Sequence, residues 1–144
     1  MFPMHTFYWG DWYKQIVGPE QAAQISPMRS ILNTGLHATS HTDAPVALPN
    51  LMQVAWATVN RTSRSGDVIG PDERVTPLEA MKMITLWGAE QFGEQDSKGS
   101  LEPGKQADMV ILSDNPLTID PMKINTIIVL ETIKDGNSVY IRQP

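Results

Sequence analysis

Leu36-His37-Ala38-Thr39-Ser40-His41-Thr42-Asp43 runs directly into Ala44-Pro45. The stretch carries β-compatible side chains, shows no helical stripe and is closed by a proline, so it predicts a strand. Side chains two apart along a strand share a face. His37, Thr39, His41 and Asp43 then project to one side, and Leu36, Ala38, Ser40 and Thr42 to the other. Three of the four residues on the first side can move protons or bind cations, since neutral imidazole and carboxylate are ordinary ligands of Zn²⁺ and related ions. Strand residues two apart are separated by roughly 6.5 Å. One strand therefore rarely closes a metal site, and further ligands have to come from elsewhere. A polar strand end with satisfied hydrogen bonds is the other meaning of the same pattern.

Outward from this strand the signals are helical on both sides. Upstream, Gly18-Pro19-Glu20 predicts a helix start with Pro19 in the first turn, where its missing N–H costs nothing. Ser26-Pro27 predicts a restart, with Ser26 as cap and Pro27 at the first helical position, ending near Asn33-Thr34-Gly35. Downstream, Asn50 predicts the cap of a helix from about Leu51 to Arg64, stopped by Gly66. Leu51, Val54, Ala55, Trp56 and Val59 make its buried side. Thr76-Pro77-Leu78-Glu79 is the strongest start signal: Thr76 caps, Pro77 fills the first turn and Glu79 completes a capping box. That helix is expected to reach about Phe92.

After Gly93 the pattern turns extended. Ala107–Leu112 reads as a strand. Ile127–Ile133 and Ser138–Ile141 read as a hairpin turning at Asp135-Gly136. A boundary near residue 94 divides the chain into 1–93 and 94–144.

The size of the chain limits what these elements can build. At 144 residues and 16.0 kDa it has the length of one ordinary domain and is too short for a complete (β/α)8 barrel of roughly 200–250 residues. A composition of 41% hydrophobic and 19% charged residues is globular. No apolar run of about 18 residues is present, so no membrane span is expected. Cysteine is absent, which removes disulfides, thiolate metal sites and a cysteine nucleophile. The net charge of −5 is uneven, with residues 1–65 slightly basic and the remainder strongly acidic. No basic stripe exists to dock a nucleic-acid backbone.

All three histidines, His5, His37 and His41, lie near the start, so any histidine chemistry lives there. The opening residues lack the basic, apolar and small-residue zones of a signal peptide. They hold six aromatics within Phe2–Tyr13, which fits either an aromatic satellite core or the wall of a ligand pocket.

Several motifs are decoys. Gly99-Ser100-Leu101-Glu102-Pro103-Gly104-Lys105 has the spacing of a phosphate loop. However, Gln106 stands where Ser or Thr is required, Glu102 repels phosphate, and the loop leads into a strand rather than a helix. A tight turn at Pro103-Gly104 explains it better. Asn60-Arg61-Thr62 fits the N-glycosylation pattern but falls in a predicted helix. Trp56 and Trp87 read as core residues.

Four stretches remain to be explained together: His5-Thr6-Phe7-Tyr8-Trp9-Gly10-Asp11, His41-Thr42-Asp43-Ala44-Pro45-Val46, Val75-Thr76-Pro77-Leu78-Glu79-Ala80, and the long run from Gly99 to Leu112. In this order they resemble the C-terminal part of the metal-dependent amidohydrolase superfamily, most closely the branch containing N-substituted formamide deformylases. The Gly99–Leu112 run is the most specific piece. The resemblance implies an α/β fold: the C-terminal fragment of a TIM-like (β/α)8 barrel, about its last two β/α units, in residues 1–93. Residues 94–144 would then be the C-terminal strands of a small β-sandwich subdomain. The aromatic N-terminal stretch would lie around strand 7 of the barrel, Leu36–Asp43 would be strand 8, and 50–92 the last helices.

The same resemblance implies roles. Asp43 matches the aspartate that closes strand 8, where it contacts the metal centre and the attacking water, so it is the expected catalytic and metal residue. His5, Trp9 and His41 are expected to contact substrate. Thr42 stands where relatives often have serine. The family's His-x-His pair, its bridging Lys or Glu and its further histidines have no counterpart here. The chain is therefore expected to be a piece of a larger hydrolase of carbon–nitrogen bonds, not competent alone. The divalent metal, zinc above all, would be held by the intact parent rather than by these residues. Expected partners are a small amide-like substrate and either further copies of the chain or the N-terminal part of the parent. The alternative is a non-catalytic binding or regulatory protein on an amidohydrolase scaffold, like those labelled regulators of exoenzyme production. Retention of Asp43 favours the enzyme.

Overall fold

Local start and stop signals account for most of the helices in the computed structural model, which describes residues 1–143. Helix α1 spans Met4–Val17 and ends at Gly18, whose φ of 84° only glycine adopts freely. Pro19 then opens the short α2, Pro19–Ala22. The aromatic N-terminal stretch is thus helical from Met4 onward. Its apolar residues are so dense that a period is hard to read, but Met4, Phe7 and Tyr8 fall on one side and His5, Trp9 and Tyr13 on another, as helical spacing requires.

Helix α3, Met28–Asn33, stops at Thr34-Gly35 as predicted. Its expected cap is diverted: the Ser26 hydroxyl donates instead to the Phe2 carbonyl, at 2.9 Å.

Helix α4, Leu51–Asn60, begins as predicted, with the Asn50 side chain accepting from the Gln53 N–H. It ends four residues before Arg64, because Arg61 turns left-handed at φ 52°. Helix α5, Pro77–Met83, carries the full reciprocal capping box of Thr76 and Glu79. It does not continue to Phe92. At Ile84-Thr85 two β-branched residues crowd the turn, and the Thr85 hydroxyl bonds back to the Met81 carbonyl at 2.8 Å. Helix α6, Leu86–Gln91, follows the break. No helix among the described residues is long and apolar enough to cross a membrane.

Trp56 and Trp87 are both buried in one core with Phe2, Met28, Val54 and Met83. The Trp56 indole N–H donates to the Met122 carbonyl at 3.0 Å, tying the 3-10 turn Pro121–Thr126 onto α4. Asn60 is buried, and its amide donates to Trp56 O and Pro121 O. The glycosylation pattern is therefore a structural clamp.

Strands β1 (Met109–Leu112), β2 (Val129–Lys134) and β3 (Asn137–Ile141) form an antiparallel sheet in that order. Met109 faces Ile133 across β1–β2, and Glu131 faces Ile141 across β2–β3. The predicted hairpin turns at Asp135 (φ 49°) and Gly136 (φ 77°), the pair of positive angles that a two-residue hairpin loop requires. Upstream of β1, the supposed phosphate loop is a self-contained turn: the Lys105 amine donates to Ser100 Oγ at 2.7 Å and pairs with Glu102 at 2.8 Å.

The strand expected at Leu36–Asp43 is not formed. Residues 36–42 have no regular secondary structure, because a strand exists only as part of a ladder and little lies alongside to pair with. One rung is present. The Met1 nitrogen donates to Thr39 O at 2.7 Å, and the His41 N–H donates to Met1 O at 3.1 Å. Bonds to the residues on either side of Ser40 are the pattern of a parallel pair.

Candidate functional site

The end of this extended segment meets the first turns of α1. His41 stacks on Phe2, with ring centroids 5.6 Å apart and an interplanar angle of 27°. Phe2 in turn meets the edge of His5 at 4.8 Å. His5 packs against Trp9 at 5.6 Å and Tyr13 at 6.4 Å. The fourfold spacing of 5, 9 and 13 places those three rings on one side of the helix.

Asp43 follows two residues after His41, exposed and left-handed at φ 54°. An aspartate tolerates that region better than most residues. The bend lets its carbonyl accept from Val46 N–H at 2.8 Å. Burial pushes the His5 imidazole below its ordinary pKa, the Asp43 carboxylate pulls it partly back, and His41 adds to the depression. The charges of Asp43 and His41 are thus both felt at the His5 ring.

The four-residue face drawn from alternation does not hold. His37 turns to α6, where its Nδ1 pairs with the Glu90 carboxylate and its ring stacks on Trp87 at 4.5 Å and 15°. Thr39 follows it, donating to Gln91 Oε1 at 2.6 Å. His41 and Asp43 stay on the α1 side. The reason is chemical: α6 offers a carboxylate, an amide and an indole face, whereas no regular strand enforces alternation here.

Among the described residues, no group of three or more His, Asp or Glu comes together to hold a metal ion. Asp43 with His5 and His41 is part of a donor set at most. What the arrangement does offer is an exposed carboxylate two residues beyond the His41 ring that joins a wall of aromatic side chains. Phe2 and Tyr13 belong to that wall; the sequence offered them among the six opening aromatics, as satellite core or pocket wall, without singling them out beside His5 and Trp9.

Residues 1–140 match the profile of the amidohydrolase family, and the chain belongs to that family. It is 30% identical over 141 residues to the N-substituted formamide deformylase of Arthrobacter pascens, an alignment covering 97% of this chain and 26% of that one. It is 24% identical over 132 residues to the putative amidohydrolase YtcJ of Bacillus subtilis (strain 168), covering 90% of this chain and 25% of that one. The chain thus spans about a quarter of the length of these relatives. Among solved structures, the guanine deaminase of E. coli superposes with a TM-score of 0.60 at 21% identity, over 80% of this chain and 30% of that one. An amidohydrolase from Thermotoga maritima MSB8 gives 0.58 at 24% identity, over 80% and 26%. These two share the fold.

Proposed function

We propose that this chain is part of a hydrolase acting on carbon–nitrogen bonds of small amide-like molecules, with Asp43 as its proton-transfer group. Asp43 takes a proton from the attacking water and returns it to the departing nitrogen. His5, Trp9 and His41 flank the substrate. A divalent metal such as zinc, where a site of this kind holds one, lowers the pKa of water beside it. His5, His41 and Asp43 do not complete a donor set for it, so the proposal gives its other ligands to chain beyond these residues, and residues 1–144 alone are not competent.

In the same reading, 1–93 are the last two units of a (β/α)8 barrel and 94–144 a share of a β-sandwich. The parallel rung between Met1 and Ser40 supports neighbouring barrel strands. The chain pairs with the rest of such a barrel or with further copies of itself.

The observation that carries the proposal is Asp43 itself: a left-handed carboxylate at the end of an extended segment, its charge felt at the His5 ring as is that of His41. The test is Asp43→Asn in the full chain that carries these residues, assayed for amine release from N-substituted formamides and other small amides. Hydrolysis is expected to fall by about 10²–10⁴-fold with an unchanged circular dichroism spectrum. Hydrolysis at the unsubstituted rate would defeat the role given to Asp43. A full chain that binds such amides without cleaving them would favour the non-catalytic reading.

A further inference from the structure

We propose that Glu90 is a positioning residue for Asp43: acting through His37, it fixes which side of the 36–43 segment faces α1, a role that rests on the hydrolase reading above. The segment follows α3 through Gly35, which has φ +82° and open space where a Cβ would sit. It ends in the exposed bend at Asp43. Neither end braces it, and no regular ladder sets its side-chain directions. Helix α6 and the end of α5 hold it instead. The Glu90 carboxylate pairs with His37 Nδ1. The neighbouring Gln91 accepts from the Thr39 hydroxyl, and the Met83 carbonyl accepts from the Ser40 N–H at 3.2 Å.

These contacts decide the direction of the residues that follow. His37 and Thr39 are turned to α6, whereas His41 stacks on Phe2 and the Asp43 charge reaches His5. The chain thus changes sides at Ser40. In a regular extended chain all four would share a side, so His41 and Asp43 are delivered to α1 only while α6 keeps the first two. His37 suits this task because its platform is fixed in the core. Its ring lies on Trp87 at 4.5 Å and 15°, and Trp87 is buried in the main cluster. A stacked ring can still slide and turn in its own plane; the Glu90 carboxylate, on one ring nitrogen, removes that freedom. The pair is partly exposed, its side chains 49% and 32% in water, and such pairs add little to global stability. Losing it is expected to loosen the segment and leave the core folded. A misplacement of about 1 Å can cost about 10²-fold in rate, so a contact weak in stability can still be large in catalysis.

Three variants of the full chain that carries these residues test this: Glu90→Ala, His37→Ala and the two together, with the same small amides as substrates. In Glu90→Ala kcat is expected to fall by about 10- to 100-fold with little change in KM, at a urea midpoint close to that of the unsubstituted protein. His37→Ala removes the contact from its other side and covers the case where Glu90→Ala does not fold. The double variant is expected to lose no more than His37→Ala alone, because both substitutions remove one contact. An unchanged kcat in either folded single variant, or losses that add in the double one, overturns the proposal. Histidine-ring NMR on the same proteins needs no turnover. The Phe2 ring displaces the His41 ring-proton signals, which are expected to move towards free-histidine positions in both single variants. Such movement in a chain that hydrolyses no amide refutes the hydrolase reading and keeps the positioning role. Hydrolysis by the unsubstituted chain, with His41 signals unmoved in the variants, refutes the positioning role alone.

Discussion

Arg29 and Glu79 form a two-pronged pair, each terminal guanidinium nitrogen donating to its own carboxylate oxygen, across 50 residues of chain. One of those oxygens also accepts the Thr76 backbone N–H at 2.7 Å, so a single carboxylate ties α3 to the start of α5. The Arg29 hydrogen bonds, with those from Thr76, outweigh the effect of burial and hold Glu79 down from 4.5 to about 2.

A depressed carboxylate stabilises the fold fully above its unfolded pKa and loses that contribution as pH falls through the folded one. The window here runs from 4.5 down to about 2. Glu79→Gln is expected to cost on the order of 1–2 kcal/mol at pH 7, combining a partly exposed ion pair with a lost capping contact. It is also expected to flatten the acid dependence of stability within that window. Urea midpoints at pH 7 and pH 3 for both proteins check this. Equal acid sensitivity in the two would show that the pair is not responsible.

Arg61 is 1% exposed and donates to four carbonyls, those of Ile69, Ser26, Ala23 and Ile25. Burial draws its pKa down to about 10, opposed by the charge of Glu73, so it is still a cation at neutral pH. Arg61→Met takes the side-chain donor from all four carbonyls, of which only Ser26 O keeps a partner, the Met28 N–H at 2.9 Å, and is expected to cost roughly 3–5 kcal/mol. Arg61→Lys keeps the charge but cannot fork to four acceptors, and is expected to lose more than half as much. A lysine variant with the native urea midpoint would show that charge, not geometry, matters at this position.

Gly70 sits at φ +62°, and a Cβ there would lie 2.3 Å from the Ala23 carbonyl oxygen, which belongs to the backbone held by Arg61. Gly104 also has a positive φ, +93°, but open space around it. Gly104→Ala is expected to cost about 1 kcal/mol from backbone strain alone, and Gly70→Ala clearly more. Thermal melts of the two variants side by side decide it; equal losses would mean that the approach to Ala23 relaxes freely.

These positions also show what the amino-acid order discloses and what it withholds. Asn50 and Thr76 announce their helices because a cap is a local hydrogen bond between residues three apart. Asp135-Gly136 announces its hairpin because the turn itself demands positive φ at both positions. Leu36–Asp43 misleads because alternation becomes a strand only when neighbours complete the ladder, and its single rung goes to Met1, remote in sequence. The left-handed turn at Arg61 has no local signature, so neither the early end of α4 nor the buried guanidinium could be anticipated. Asp43 stood out as a polar residue by pattern and as a site by resemblance. Which of the opening aromatics join His5, Phe2 and Tyr13 among them, becomes visible only once Met4–Val17 is known to be helical.

Association is the remaining consequence of the exposed surface. An open cleft of about 1840 Å³ separates α5 and α6 from the three-stranded sheet. Its walls leave Leu78, Phe92, Leu101 and Val139 largely in water. The outer edges of β1 and β3 have no partner strand among the described residues, and open edges recruit other strands. An apolar surface of this kind marks a contact region rather than a finished exterior. Residues 1–144 are therefore expected to self-associate, with a light-scattering mass above 16.0 kDa that rises with concentration. Phe92→Lys combined with Leu101→Glu is expected to lower that mass towards the monomer, because both positions face the cleft and neither is in the core. If the cleft instead receives the N-terminal part of a longer chain, the longer chain stays at a fixed mass under conditions where residues 1–144 do not. A compact monomer of residues 1–144 at tens of micromolar, with a well-dispersed NMR spectrum, contradicts both routes: the cleft and sheet edges would then be tolerated as free surface.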